Sequence, residues 1–184
     1  ISDKMEDMQA IAAMNKLYSN DKTTIKPLAS YEPESGDGSG TDNSYSSTTT
    51  INNKVFSKCV ANYDGNWAGK NKDYDGGAIE ISGGTITISK CQFNECDAGE
   101  AGGAIASNNA NLIINDSTSF YDCMVYNGVG GAICTGGSSG TLSIDTCGFS
   151  HCKTNIWGRD AGSKGGAIYV AAATTWAEVT NSVF

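Results

Sequence analysis

The tetrapeptide Gly-Gly-Ala-Ile occurs four times in this chain, at Gly76–Ile79, Gly102–Ile105, Gly130–Ile133 and Gly165–Ile168. A nearly constant distance after the first three copies comes Phe-x-x-Cys, as Phe93/Cys96, Phe120/Cys123 and Phe149/Cys152. The fourth copy is followed by Phe184, and Phe56/Cys59 stands ahead of the first. Units that recur every roughly 26–37 residues are too small to bury an apolar face alone. Each must lean on the next, which predicts a solenoid of stacked repeats.

Within a unit the apolar residues follow a period of two, not the 3.6 of a helix. Ile79-x-Ile81, then Ile86-x-Ile88, then Phe93 read as short strands, and Ile113/Ile114, Leu142/Ile144 and Val170/Val179 continue the pattern. Gly83-Gly84 and Gly136-Gly137 mark sharp corners between them. The fold class this predicts is all-β: a parallel β-helix of about five coils spanning 50–184, one coil per unit. Coils stacked about 4.8 Å apart would align equivalent residues into ladders. One ladder is Phe56, Phe93, Phe120, Phe149 and Phe184, the other Cys59, Cys96, Cys123 and Cys152. Both are expected to point inward, each buried Phe contributing about 1.5–3 kcal/mol. The paired glycines serve a corner that needs positive φ or close backbone approach. A phosphate-cradling role is not indicated, because no helix start or Lys-Ser/Thr follows them.

These motifs resemble the polymorphic outer membrane protein repeat family, whose units carry Gly-Gly-Ala-[Ile/Leu/Val] and Phe-x-x-Asn. The resemblance covers 50–184, with Phe-x-x-Cys in every complete unit where that family typically has Phe-x-x-Asn. It implies a right-handed parallel β-helix displayed at a cell surface, often as an adhesin or autotransporter passenger.

Twenty-three glycines, 17% charged residues and abundant Ser, Thr and Asn suit an extracellular or cell-surface β-solenoid better than a cytosolic enzyme. A formal charge of −8 argues against nucleic acid or an anionic membrane as partner. No apolar run reaches the length of a membrane span, so this segment is not expected to insert into one. The absence of a leader and of a cap after Phe184 suggests a fragment of something larger. Seven cysteines cannot all pair internally. Neighbouring ladder cysteines lie within disulfide reach but with parallel Cβ vectors. The recurring Cys-x-Phe-x-x-Cys suggests small loops closed by Cys91/Cys96 and Cys147/Cys152, and buried thiols acting as small hydrophobes are the third reading. Alternation turns Cys134 outward. With one histidine, His151, no metal site or cofactor is expected.

Residues 1–18 read as an N-terminal amphipathic helix. Asp3 and Glu6 have capping-box spacing, and Met5, Met8, Ile11, Ala12 and Leu17 recur at helical intervals. It would cap the first coil or bind a partner. Residues 19–49, rich in Ser, Thr, Gly and Asp, read as a linker, in which Asp37, Ser39 and Thr41 alternate as calcium ligands can but without the rest of such a loop.

Chain length hardly changes from each Gly-Gly-Ala-Ile to the next Phe, and variation concentrates between each Cys and the next Gly-Gly-Ala-Ile, from 5 to 16 residues. Connections 60–75 and 153–164 are long and flank the short 97–101 and 124–129, which predicts a saddle roughly 14 Å wide. Tyr63, Trp67 and Tyr74 lie on one side, Trp157 and Arg159 on the other, and Tyr126 between. Exposed aromatics offer flat faces to sugar rings or protein hot spots. The expected partner is therefore a glycan or protein of a host or neighbouring-cell surface. Asp64, Asp73, Asp75, Asp97, Glu100 and Asp160 gather at the same corner, as a polysaccharide hydrolase or lyase would need. No nucleophilic constellation accompanies them, so a non-enzymatic scaffold is the leading expectation. A polysaccharide-binding or polysaccharide-cleaving helix, and a filament subunit associating end to end, are the alternatives. The threonine pair Thr85-x-Thr87 does not continue into an ice-binding face, since the next coils offer Asn111/Ile113 and Thr141/Ser143. Asn115-Asp116-Ser117 is a glycosylation sequon.

Overall fold

A computed structural model describes Ser44, Tyr45 and residues 47–61, 75–126, 128–155, 164–171, 174 and 176–184. The helix expected over 1–18 lies outside these residues, as does most of the expected linker. All regular structure described is β, and every pairing between strands is parallel.

The alternating apolar residues make short strands that recur in a fixed order. The first repeat supplies β1 (Ser44–Tyr45), β2 (Thr49–Asn52) and β3 (Val55–Ser57). The second supplies β4 (Ile79–Ile81), β5 (Thr85–Ser89), β6 (Gln92–Asn94) and β7 (Asp97–Ala98); the third, β8 (Ile105–Asn108), β9 (Asn111–Asn115), β10 (Ser119–Tyr121) and β11 (Met124–Val125). The fourth follows with β12 (Ile133–Gly136), β13 (Thr141–Asp145), β14 (Gly148–Ser150) and β15 (Lys153–Thr154), and the fifth with β16 (Ile168–Val170) and β17 (Trp176–Thr180). Equivalent strands pair across repeats. The first sheet is β1-β4-β8-β12-β16, the second β2-β5-β9-β13-β17, the third β3-β6-β10-β14 and the fourth β7-β11-β15. Because Ser44 and Tyr45 pair with Glu80 and Ile81, the ladder reaches back six residues beyond the boundary drawn at 50. Composition hides this, since a two-residue strand in a Ser/Thr-rich stretch has no apolar alternation to announce it.

Register aligns like with like. Ile79, Ile105, Ile133 and Ile168 form one column, and Ile51, Ile88, Ile114, Ile144 and Val179 another. The third sheet aligns Phe56, Phe93, Phe120 and Phe149, whose rings stack at centroid spacings of 4.8 Å with planes within 4°. Phe184 extends the stack at 4.9 Å but is 69% exposed, because no ring covers its outer side. Parallel rings at this separation are offset, an arrangement the aromatic quadrupole favours over a face-to-face sandwich.

The two glycines of each motif do different work. The first of each pair has positive φ, +64° at Gly76, +60° at Gly102, +70° at Gly130 and +67° at Gly165. The second has room for nothing larger: a Cβ on Gly77, Gly103 or Gly131 would run into the carbonyl oxygen of the equivalent glycine one repeat on. The other corners use ordinary residues at positive φ. Asn53, Lys90 and Thr146 turn the chain from the second sheet to the third, where the third repeat inserts one residue and uses both Asp116 and Ser117. Lys58, Glu95, Asp122 and His151 turn it between Phe and Cys, so that both side chains face inward. A non-glycine residue there costs about 1–2 kcal/mol. The ladder offsets this by satisfying the corner amides: Lys58 N–H donates to Asn94 C=O at 2.9 Å and Glu95 N–H to Tyr121 C=O at 2.8 Å.

All seven cysteines are thiols. The pairs Cys91/Cys96 and Cys147/Cys152 are not joined, because a strand and a corner hold the two members of each apart. Cys91 lies just before β6 and Cys96 just after the turn that follows it, in separate columns. Cys134 occupies the outward, half-buried position of β12, where burial pushes its thiol up to about 12.

Gly102→Ala is expected to lower stability by about 2 kcal/mol or more, since it combines a positive φ with a clash against the Ile105 carbonyl. Lys90→Gly, at φ 53°, should instead be neutral or stabilising by up to about 1 kcal/mol. Phe120→Ala, in mid-stack, should cost about 3–5 kcal/mol. Urea unfolding of the three variants checks the order.

Candidate ligand-binding face

Where the repeats differ most in length, they differ at one edge of the fourth sheet. That sheet ends in register at Ala98, Val125 and Thr154, with Val60 bridging to Asp97 ahead of it. The chain is next fixed at a column of isolated bridges joining Asp75, Ala101, Val129 and Lys164. Between these two lines run residues 62–74, 99–100, 126–128 and 155–163 in successive repeats. Two long connections thus leave the scaffold on either side of two short ones, all from the same edge.

The face between them follows from alternation. Ala98 and Val125 turn inward and, with Ala61, form a small core of their own. Asp97, Met124 and Lys153 therefore share the outward column. Tyr126 follows Val125 and is 39% exposed; its backbone N–H donates to Ala98 C=O at 3.1 Å and its hydroxyl to Asp97 Oδ2 at 3.5 Å. Lys153 Nζ meets Asp122 Oδ1 at 3.1 Å. Both partners are well exposed, so this ion pair contributes about 0–1 kcal/mol and orients more than it stabilises. Beside it, Tyr121 packs edge-on against His151 with centroids 5.5 Å apart, and the His151 ring contacts Ser150 Oγ at 3.1 Å through Nδ1.

Asp97 carries the unusual electrostatics. Partial burial pushes its carboxyl up to about 6, the Tyr126 hydroxyl and Lys153 work against that, and the Asp122 and Glu95 carboxylates add to it. Burial, then the Asp97 charge and their shared hydrogen bond, raise the Tyr126 phenol in turn. The face thus presents a hydrogen-bonded Tyr–Asp pair, a thioether and a lysine side by side. It can hydrogen-bond hydroxyls in both senses and offers flat carbon surface beside them.

Of the aromatic residues expected at the saddle, Tyr126 lies on this face. Tyr63, Trp67, Tyr74, Trp157 and Arg159 fall outside the described residues, as do Asp64, Asp73 and Asp160. Asp75 stands in the bridge column and Glu100 is exposed on a short connection. Asn115 is half-buried at the end of β9, its side-chain Oδ1 enclosed without a partner and its backbone carbonyl accepting from Thr118 Oγ1 at 2.8 Å. Sequence reasoning missed Met124, Asp122 and Lys153. The usable signal was register: each lies at a fixed offset from the Phe-x-x-Cys cysteine of its repeat. Among the described residues no three metal-ligating side chains converge on a point.

The folded protein holds a proton on Asp97 that the unfolded chain releases once pH exceeds the ordinary value of 3.8. Stability from this group is fully present below that value and is lost as pH rises through about 6. Asp97→Asn should flatten this part of the stability profile. Tyr126→Phe, which removes a donor to the carboxylate, should raise the Asp97 midpoint in a carbon-13 NMR titration.

Comparison of the chain with models of protein families, with curated proteins and with solved structures returns no match.

Proposed function

We propose that residues 44–184 form a right-handed parallel β-helix of five coils. Its function is that of a non-enzymatic scaffold in a secreted or cell-surface protein, which binds its ligand through the edge of the fourth sheet. Three features support the coil reading. Each sheet takes one strand from each successive repeat, each return to a sheet is a parallel crossover, and such crossovers are right-handed in nearly all cases. The resemblance to polymorphic outer membrane protein repeats fits the same architecture and favours display at a cell surface. Among the described residues no helix is long and apolar enough to cross a membrane.

The observation that carries the binding reading is the concentration of length variation in the connections around Asp97, Met124, Tyr126 and Lys153. Elsewhere the spacing between columns changes by only one or two residues; here the scaffold tolerates thirteen residues in one repeat and two in the next. Variable loops on a rigid support are where recognition is usually built. The loop aromatics Trp67 and Trp157, with Tyr126 on the floor, suit a glycan chain or a protein segment laid across the saddle. Fold alone does not specify which of these it is.

The test is a glycan and cell-surface protein screen with the wild type, followed by Tyr126→Ala, Trp67→Ala and Trp157→Ala against whatever binds. Loss of an aromatic contact at the centre of a binding site should weaken affinity about tenfold or more with folding intact. Ligand binding untouched by all three substitutions would place recognition elsewhere. Regular polymers formed by all three variants would make the chain a filament subunit instead. Turnover of a polysaccharide that is lost on Asp97→Asn would overturn the non-enzymatic reading.

A further inference from the structure

The saddle does not use the cysteine column, which is the most chemically distinctive part of the interior. Cys59, Cys96 and Cys123 are at most 2% exposed, and Cys152 is half-buried. The four sulfurs repeat one another's geometry. Each Sγ donates to the carbonyl two residues before it, on Ser57 at 3.9 Å, Asn94 at 3.6 Å, Tyr121 at 3.6 Å and Ser150 at 3.6 Å. The last three also face the phenylalanine carbonyl one repeat earlier, on Phe56 at 3.7 Å, Phe93 at 3.6 Å and Phe120 at 3.7 Å. The strands on either side of each cysteine are in register and the sulfurs repeat the same contacts, so the repeat translation carries each sulfur onto the next. The phenylalanine rings measure that translation as 4.8 Å.

That spacing matches a specific coordination chemistry. Two metal–sulfur bonds of about 2.3 Å placed in line span about 4.6 Å. Thiol sulfur is the soft donor that selects Cu(I) over harder ions. We propose that the column is a binding site for a soft, two-coordinate d10 cation, Cu(I), with one ion between Cys59 and Cys96 and a second between Cys123 and Cys152. The lack of any three-donor cluster among the described residues is compatible with this, because a linear site needs two sulfurs and no more.

Each ion takes the place of the S–H protons of both facing cysteines, which are released to solvent, because the thiolate is the metal ligand. Copper remains Cu(I), and affinity should rise about a hundredfold per pH unit below the thiol pKa values. Cys152, the least buried member, offers the way in.

The neighbouring column provides an internal control. Cys91 and Cys147 are separated there by Thr118, whose Oγ1 accepts from the Cys91 N–H at 3.3 Å. Two repeat spacings lie between those sulfurs, so they cannot share an ion. The experiment adds Cu(I), as its acetonitrile complex under argon, to the reduced protein and counts bound ions by native mass spectrometry. Wild type should hold two ions, and Cys91→Ala/Cys134→Ala/Cys147→Ala should hold two as well. Cys123→Ser, which leaves only the Cys59/Cys96 pair, should hold one, and Cys96→Ser/Cys123→Ser none, with circular dichroism reporting that each variant is folded. Copper K-edge absorption should show two sulfur neighbours. Folded wild type that takes up no copper would overturn the proposal. So would uptake that follows the number of off-column cysteines, or an unchanged count in folded Cys123→Ser.

Discussion

The repeat translation of 4.8 Å, read from the phenylalanine stack, governs nearly everything else in this protein. Parallel pairing in register fixes the distance between equivalent residues, so most inward side chains in mid-stack have neighbours of their own kind on both sides. A substitution is therefore tested against the residues directly before and after it in the column as well as against the core. Isoleucine over isoleucine and phenylalanine over phenylalanine pass that test without adjustment of backbone or rotamer. Glycine over glycine passes it for another reason, since the second glycine of the first three motifs lies against the next repeat's carbonyl and only hydrogen fits.

Features set by this self-matching could be read from the sequence. Gly-Gly-Ala-Ile, the phenylalanine column and the alternating isoleucines recur because each must suit its own copy one repeat away. Corners occupied by Lys90, Glu95, Asp122, Thr146 and His151 could not be read the same way. Their left-handed backbone is imposed by the strands on either side and stabilised by bonds from corner amides to the next repeat, so no glycine announces it. The extra residue at Asp116–Ser117 escaped notice for the same reason, and β1 was hidden because a two-residue strand carries no period.

The proposed binding face divides along similar lines. Its location was legible from variation in length, which a stack tolerates only where the chain leaves the ladder. Its floor was not, because outward positions such as Asp97, Met124 and Lys153 share a column without sharing chemistry. Nothing in the packing requires them to match, so no repetition marks them. The same freedom lets a carboxylate, a thioether and an ammonium group stand side by side on the outside of a ladder whose interior repeats itself.

The cysteine column shows the opposite regime, in which packing dictates chemistry. An inward position between the third and fourth sheets can take a small side chain whose polar needs are met by backbone carbonyls one repeat away. Asparagine at this position would bring an amide able to donate and accept along the column. Cysteine gives up most of that hydrogen bonding for burial and leaves a row of weak S–H donors in a dry channel. Thr118 marks the boundary of the arrangement. In the adjacent column it takes a cysteine's position and answers the local polar groups with a hydroxyl, donating to Asn115 C=O at 2.8 Å and accepting from the Cys91 amide. A thiol is thus not the only small side chain this scaffold can bury between the second and third sheets. Between the third and fourth, four successive repeats use nothing else, and a uniform row of soft donors at a fixed spacing acquires a chemistry that no single repeat possesses.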